Sequence, residues 1–439
     1  MKHILTAIFA ILAAFTASSQ NYNRDSIQKL TNQDYQYLLE MLEIEAVRPG
    51  PSGDPSAENA ANTNEAKVDS TYELPKLMQF ENGENVNDLE DWKQRRTELF
   101  RLFDDHIYGR TPENLPAVSW QVISEKDSVI AGIPVKIKEL LGTVDNSAYP
   151  EISVNIPCTL TIPAQEKPVP VVVKFDWIWA RNMGLDTENP WNVQLLENKI
   201  GYASLVPTAY QADNGAGLTT GIIGLVNKGE RRSTYDWGAL KAWAWGASRV
   251  LDYFEKEPTV DAEKVAIEGV SRYGKAALVT MAYDERFSVG FIGSSGAGGA
   301  KILRRNFGEQ LENLASSGEY QWFTPNFVTY ISKKNVQNLP VDAHELIALV
   351  APRPLFFGAG NPNVEGGWVD ATGMYEGVLL ANPAYELFGK NGVEVKEYPV
   401  ASETFYARGD LSFRQHEGGH TSIPNWPYFI EFVEKYWKP

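Results

Sequence analysis

Cysteine and histidine are scarce in this chain: its 439 residues include one cysteine and five histidines. Because a disulfide needs two cysteines, Cys158 cannot form one within the chain. No cysteine follows the apolar N-terminal stretch to carry a lipid, and the few histidines do not cluster with the spacing of a metal site. We therefore expect a fold held by its hydrophobic core, with no metal and no other cofactor.

Basic charge is also in deficit. The chain has 40 Lys and Arg against 56 Asp and Glu, a formal net charge of -16. An acidic chain without a basic block is a poor partner for nucleic acid or for an anionic membrane surface. This balance favours a neutral substrate, or one whose charge is neutralised locally. The length suffices for one large domain or two small ones.

Long apolar runs are missing except at the N-terminus. Lys2 precedes an apolar stretch over residues 4–15, and small residues follow it. This pattern is typical of a secretory signal peptide and is too short for a membrane span. We predict a signal peptide over residues 1–19 and export to a bacterial periplasm or exterior, since the mature chain needs no disulfide.

The rest of the chain divides by composition. Residues 20–70 are polar, with Pro, Gly, Asn and Ala concentrated near their end, which predicts a flexible segment. Residues 71–439 begin with a helix and two strand-like segments, and buried strands then alternate with helices. This order predicts an α/β fold with a mostly parallel central sheet and helices on both faces. Residues 296–341 are aromatic and lack the alternation, so we interpret them as an inserted helical cap.

One strand ends in a sharp turn that carries a serine. The stretch "VAIEGVSRYGKAALV" places Ser271 between an apolar run and a helical pattern. This is the nucleophile elbow of the α/β-hydrolase three-layer sandwich, in which small residues flank the serine. Gly269 fills the first small position, but Tyr273 occupies the second and Gly274 follows one residue later. Serine is also a favoured helix N-cap, so the motif alone leaves a nucleophile and a cap equally open.

A nucleophilic serine needs a base, which is nearly always histidine, and this fold orders them as serine, acid, histidine. Two histidines, His416 and His420, precede the last predicted helix, where the catalytic loop belongs. Two glycines just before His420 allow a tight loop, so we predict His420 as the base and a hydrogen bond within the loop for His416. The other three lie in the signal peptide, before the sheet, and ahead of the strand that presents the acid: His3, His106 and His344.

The acid should follow the strand "PLFFGAGN". The loop after it offers Glu365 and Asp370. Glu365 is nearer to the strand end, where the acid normally emerges, and we predict it as the acid of the triad. Asp370 is the runner-up, with an alternative role as a turn residue or helix cap.

These residues resemble the bacterial glucuronoyl esterases of carbohydrate esterase family 15. The family elbow reads G-C-S-R-x-G-K, and this chain has "GVSRYGK". The stretches "FRLFDDHIYGRTP", "SGAGGAKILRRNFGE" and "DAHELIALVAPRPLFF" fall in the family's order. The resemblance covers roughly residues 88–437. It implies a serine esterase that cleaves esters of 4-O-methyl-glucuronic acid, as in lignin–carbohydrate linkages of glucuronoxylan, and that works as a monomer.

The resemblance also implies roles for individual residues. Ser271 would attack the C6 carbonyl of the esterified sugar, and Arg272 would hold the oxyanion through its backbone N–H and its guanidinium. Lys275 and Glu309 would bind sugar hydroxyls, and Trp368 would line the sugar pocket. Without the resemblance, Arg272 could equally form a surface salt bridge and Lys275 could be a solvated helix residue.

One position departs from the family pattern. Many members place a catalytic Glu at the start of "ESGAGG", and this chain has "SSGAGG", with Ser294 at that position. Serine cannot carry the charge that stabilises an imidazolium. Either the acid has moved to the later loop, as in some bacterial members, or the triad is impaired. The alternatives are therefore an acetyl-xylan or other carbohydrate esterase, and a catalytically decayed glycan-binding protein.

Overall fold

The computed structural model describes residues 24–69, 71–178, 190–394, 398 and 404–437. The predicted signal peptide lies outside these residues. In the part of the chain that is described, no helix combines the length and the apolar character needed to cross a membrane.

Ten strands form one mixed sheet in the order β1-β2-β3-β5-β4-β6-β7-β8-β10-β9. The strands are β1 Val118–Ile130, β2 Ile133–Val144, β3 Asn155–Pro163, β4 Val169–Phe175, β5 Gly201–Leu205, β6 Val260–Val270, β7 Val289–Gly293, β8 Leu355–Ala359, β9 Phe405–Ala407 and β10 Leu411–Gln415. Neighbours from β5 to β10 are parallel, and the outer pairs are antiparallel. The predicted antiparallel opening and mostly parallel centre are confirmed.

Twelve α-helices lie within the described residues and connect or flank these strands. They are α1 Arg24–Met41, α2 Leu89–Phe103, α3 Pro190–Glu197, α4 Gly221–Val226, α5 Ala239–Phe254, α6 Arg272–Tyr283, α7 Leu311–Leu314, α8 Ala343–Ala348, α9 Pro362–Glu365, α10 Ala371–Leu380, α11 Asn382–Leu387 and α12 Trp426–Trp437. Helices α5, α6, α8 and α10 pack on one face of the sheet, and α3 and α12 pack on the other.

Burial of both sheet faces explains the continuous apolar runs of the central strands. On β4, Val171 and Val173 join the larger core cluster, whereas Val172 points to the smaller one on the opposite face. All three side chains are fully buried. A strand that is covered on both faces needs apolar residues at every position rather than at alternate ones. This is the three-layer arrangement that the alternation of strands and helices predicts.

The segment over residues 296–341 differs from the predicted helical cap. Its only α-helix is the four-residue α7, and short 3-10 turns make up the rest of its regular structure. Its aromatic side chains, such as Phe327 and Tyr330, are buried in the same core as the sheet. The segment therefore forms part of the main core, and tertiary burial rather than helical periodicity determines its path.

The polar N-terminal segment also differs from the expected flexible one, because α1 is a helix of 18 residues and the following residues pack on the domain. Polar contacts hold it in place. The Tyr320 hydroxyl donates to the Asp34 carboxylate at 2.8 Å, and the Arg48 guanidinium donates to the Tyr330 carbonyl at 2.6 Å. Farther along, Glu65 pairs with a guanidinium of the main domain. Composition could not reveal these partners, because each lies more than 150 residues away in the sequence.

Candidate active site

The turn between β6 and α6 holds Ser271 in a strained conformation. Its φ is 61° and its ψ is −130°, a region that residues with a Cβ rarely adopt. Ser271 occupies the N-cap position of α6, but its side chain makes no capping hydrogen bond to the helix. The backbone N–H instead donates to the Gly293 carbonyl at 2.9 Å, which ties the turn to the end of β7. The hydroxyl therefore lies at the carboxyl end of the parallel strands, where α/β sheets place their sites.

Close packing of α6 on the sheet explains the displaced second glycine. A Cβ on Gly269 would overlap the Tyr273 carbonyl oxygen, and one on Gly274 would lie 2.5 Å from the Gly293 carbonyl oxygen. The helix thus approaches the strands through residue 274 rather than 273. The Tyr273 ring is free to pack on Trp177, with ring centroids 4.4 Å apart. The turn therefore keeps the close helix–strand packing of a nucleophile elbow, although its second glycine comes one residue later.

The loops after β8 and β10 bring His420 and Glu365 together. The His420 Nδ1 lies 2.6 Å from the Glu365 Oε1, and the Gly360 N–H donates to the Glu365 Oε2 at 2.5 Å. Because a carboxylate only accepts, Nδ1 carries the proton and Nε2 is left to accept one. The Glu365 side chain is 1% exposed, whereas that of His420 is 44% exposed. The pair has the arrangement of a triad acid and base, with the acid buried and the imidazole open to solvent.

The two loops are also joined through their backbones and through His416. The Asn361 N–H donates to the Gly418 carbonyl at 2.9 Å. The His416 Nδ1 accepts from the Gly418 N–H at 3.0 Å, and its Nε2 lies 2.8 Å from the Thr421 carbonyl. The predicted hydrogen bond of His416 within the loop is confirmed, and it shapes the turn that presents His420.

The Asp370 carboxylate binds a helix N-terminus and an arginine rather than His420. It is the N-cap of α10, where its Oδ1 accepts from the Gly373 N–H at 2.9 Å. Its Oδ2 accepts from the Arg305 Nε at 2.8 Å, and the side chain is fully buried. Both carboxylate oxygens are thus engaged away from His420, which is the cap role left open for Asp370.

The Arg272 side chain contacts a carboxylate and two aromatic rings that the sequence did not reveal. Its Nη1 donates to the Asp213 Oδ2 at 2.6 Å, and its guanidinium lies 5.6 Å from the Trp177 ring and 5.0 Å from the Trp322 ring. The Arg272 side chain is 36% exposed. The alternative predicted for it, a salt bridge near the surface, is therefore also observed, with Asp213 as the partner. No sequence motif marks Asp213 or Trp322.

A buried ion pair lies one turn farther along α6. The Lys275 Nζ is 3.0 Å from the Glu309 Oε2, and both side chains are almost fully buried, so Lys275 is not a solvated helix residue. Glu319, which the sequence analysis missed, faces this pair. Its Oε2 is buried without a hydrogen-bond partner among the described residues. Burial, together with the charge of Glu309, raises the pKa of Glu319 to about 7 against the attraction of nearby cations.

Trp368 contacts both Glu309 and the N-terminal segment. Its carbonyl accepts from the Glu309 N–H at 2.9 Å. Its ring packs on Gly53, where a Cβ would lie 3.4 Å from the ring. The residues implied for sugar binding are therefore linked through Glu309, and the segment before the catalytic domain forms part of their surroundings.

A buried carboxyl group beneath the elbow predicts a pH-dependent stability. Glu268 lies on β6 with its side chain fully buried, near the Ser422 hydroxyl and the Lys174 ammonium group. Burial raises its pKa from 4.5 to about 7. Between these values the folded protein holds a proton that the unfolded chain releases, so the free energy of unfolding falls as pH rises. We expect Glu268→Gln to be about 2–3 kcal/mol more stable than wild type at pH 8 in urea unfolding, and no more stable at pH 4.

The control for this prediction is Glu263→Gln, which removes an equal charge from an exposed position on the same strand. It should not change the pH dependence of unfolding. A Glu268→Gln variant that differs from wild type by the same free energy at both pH values would show that this carboxyl group does not titrate in the window.

Comparison with known proteins agrees with the geometry. The family model described as "Glucuronyl esterase, fungi" matches residues 148–389. A CE15 glucuronoyl esterase from Teredinibacter turnerae is 42% identical, with a TM-score of 0.87 over 93% of this chain and 100% of that one. A glucuronoyl esterase from Solibacter usitatus is 30% identical, with a TM-score of 0.76 over 85% and 100%. A 4-O-methyl-glucuronoyl methylesterase from Podospora anserina is 27% identical over 71% of this chain and 59% of that one. The chain belongs to the glucuronoyl esterases of carbohydrate esterase family 15.

Proposed function

We propose that this chain hydrolyses esters of 4-O-methyl-glucuronic acid through a covalent acyl-enzyme, with Ser271 as nucleophile, His420 as base and Glu365 as acid. The observation that carries the proposal is the 2.6 Å contact between the His420 Nδ1 and the Glu365 Oε1. It fixes the tautomer in which Nε2 can take a proton, at the sheet edge where the elbow presents Ser271.

Acylation begins when the Ser271 Oγ attacks the C6 carbonyl carbon of the ester. The His420 Nε2 takes the hydroxyl proton and then gives it to the leaving alcohol as the C6–O bond breaks. The carbonyl oxygen becomes an oxyanion, which the backbone N–H and the guanidinium of Arg272 stabilise. A charged donor at this position contributes more than a neutral one.

Deacylation repeats the sequence with water in place of the alcohol. His420 takes a proton from the water as its oxygen bonds to C6, and it returns the proton to the Ser271 Oγ as the acyl bond breaks. Glu365 stabilises the imidazolium in both half-reactions. The free glucuronic acid leaves, and no cofactor takes part.

Sugar recognition falls to the charged cluster beside the elbow. Lys275 and Glu309 offer a donor and an acceptor for neighbouring hydroxyls, and the buried Oε2 of Glu319 offers a third polar group. Trp368 supplies an aromatic surface for the sugar face. An acetyl group has no hydroxyls to satisfy these buried polar groups, so the cluster favours a uronic acid as the acyl part of the substrate.

The natural setting follows from the sequence and the chemistry. The N-terminal pattern supports export from a bacterium, and the substrate class is the ester that joins glucuronoxylan to alcohols of lignin. We propose that the protein works there as a monomer.

The test compares the benzyl ester of glucuronic acid with an acetylated xylo-oligosaccharide at equal enzyme concentration. We expect kcat/KM to be at least about 100-fold higher for the benzyl ester, because the polar cluster is satisfied only by the uronic acid. Release of benzyl alcohol and of acetate measures the two rates. A preference for the acetylated substrate would replace the proposal with an acetyl-xylan esterase.

A further inference from the structure

Asp213 joins three parts of the chain beside the nucleophile. It lies in the loop after β5, and its side chain is 15% exposed. Its Oδ2 accepts from the Arg272 Nη1 at 2.6 Å, and its Oδ1 accepts from the Trp322 Nε1 at 2.6 Å. A longer contact of 3.3 Å from the Gln321 Nε2 reaches the same Oδ1. One carboxylate therefore fixes both the guanidinium and one of the two indoles that flank it.

The guanidinium has donors left over after this contact. Only Nη1 of Arg272 is engaged by Asp213, and Nε is buried without a hydrogen-bond partner among the described residues. An unrestrained arginine side chain loses rotamer entropy when it is held in one position. Asp213 imposes that restraint before substrate arrives, which is the condition for strong stabilisation of a developing charge.

We propose that Asp213 is a positioning residue for the reaction, acting through Arg272 to aim its guanidinium at the oxyanion. The inference rests on the proposed function, because it takes the Ser271 attack and the Arg272 role from there. It assigns to Asp213 a contribution to kcat rather than to sugar binding, since no contact of Asp213 involves Lys275 or Glu309.

Two effects of the carboxylate oppose each other. Its negative charge reduces the positive field of Arg272 at the oxyanion, whereas its two hydrogen bonds hold the donors in place. Loss of a whole oxyanion donor typically costs about 10²- to 10³-fold in kcat. The positioning effect is the larger of the two if the guanidinium moves away from the oxyanion once Asp213 is removed. The hydrogen bond to Asp213 is the one contact of Arg272 among the described residues that fixes the direction of its Nη1.

The experiment is a double-mutant cycle on the full chain with the benzyl ester of glucuronic acid. We expect Asp213→Ala to lower kcat by about 10- to 100-fold while KM stays within about threefold. Asp213→Asn keeps an acceptor and should restore part of the loss. Trp322→Phe keeps a ring beside Arg272 but removes the donor to Asp213, and it should lower kcat by a smaller factor.

Coupling to Arg272 separates positioning from a general structural role. In an Arg272→Ala background, Asp213→Ala should have no further effect on kcat, because the group it positions is absent. The matched control is Asp252→Ala, which removes the carboxylate of another ion pair, to Arg286 at 2.8 Å, remote from the elbow; the arginine of each pair is 36% exposed. It should leave kcat unchanged. Thermal unfolding of each variant ensures that rates refer to folded protein.

Three results would overturn the inference: an unchanged or higher kcat in Asp213→Ala, a loss confined to KM, or an equal loss with and without Arg272. Failure of the proposed function has a different signature, in which wild type and Ser271→Ala cleave the benzyl ester at the same rate. The two failures are therefore distinguished by the Ser271→Ala measurement alone.

Discussion

Replacement of Ser271 by alanine is expected to lower kcat on the benzyl ester of glucuronic acid by about 10⁶-fold, with KM little changed. The hydroxyl is the atom that forms the acyl-enzyme, and a serine triad without its nucleophile keeps only the residual catalysis of the oxyanion hole and binding. The fold should be retained, because the Ser271 side chain makes no hydrogen bond that caps α6. Steady-state rates measure the loss, and mass spectrometry should detect a glucuronoyl adduct on wild type but not on the variant.

The control is Ser294→Ala, which removes the same hydroxyl at the end of the neighbouring strand. Ser294 is buried and, like Ser271, has a positive φ, of 41°. It should keep kcat near the wild-type value, because it has no place in the proposed triad. A Ser271→Ala variant within tenfold of wild type would exclude the acyl-enzyme and would favour the decayed, glycan-binding alternative.

The central sheet could be predicted because the amino-acid composition of its strands reflects their burial. A strand covered on both faces tends to be apolar at every position, and residues 171–173 of β4 and 265–267 of β6 meet that condition. The edge of the sheet that holds the site followed from the same alternation, since parallel strands end together. Such signals are local, and a single pass along the sequence detects them.

The segment over residues 296–341 lacks such signals, because its aromatic burial is set by contacts with the sheet and no helical or strand period describes it. In the N-terminal segment, α1 buries Tyr35, Leu38 and Leu39 in the same core. The residues after α1 are held by single polar contacts, such as that between Arg48 and the Tyr330 carbonyl. Hydrophobic periodicity cannot reveal partners that are polar and distant in the sequence.

The residues of the site also differ in whether the sequence alone can predict them. Ser271, His420 and Glu365 were predicted from their order along the chain and their places after strands. Asp213 and Glu319 could not be predicted in this way, because only the fold brings them close to their neighbours. Asp213 is 59 residues from the arginine that it binds. Position after a strand predicts the reacting groups, whereas the groups that orient them follow from the packing.

Replacement of Glu365 by glutamine is expected to lower kcat by about 10⁴-fold, because the amide would present a donor to His420 and force the wrong imidazole tautomer. Glutamine has nearly the same size, and its carbonyl oxygen can still accept from the Gly360 N–H that Glu365 now binds at 2.5 Å. The loop should therefore keep its path and KM should change little. Steady-state kinetics on the benzyl ester measure the loss, and thermal unfolding confirms that the variant is folded.

Asp370→Asn is the matched comparison, since it neutralises the other carboxylate of the same loop. It breaks a fully buried pair with Arg305, which typically costs about 3–5 kcal/mol of unfolding free energy. The kcat per folded molecule should nevertheless stay within about tenfold of wild type. Glu365→Gln is thus expected to lose turnover and keep its stability, whereas Asp370→Asn is expected to lose stability and keep its turnover. If Asp370→Asn alone were inactive while folded, the acid would be Asp370, and the contact between His420 and Glu365 would serve only to shape the loop.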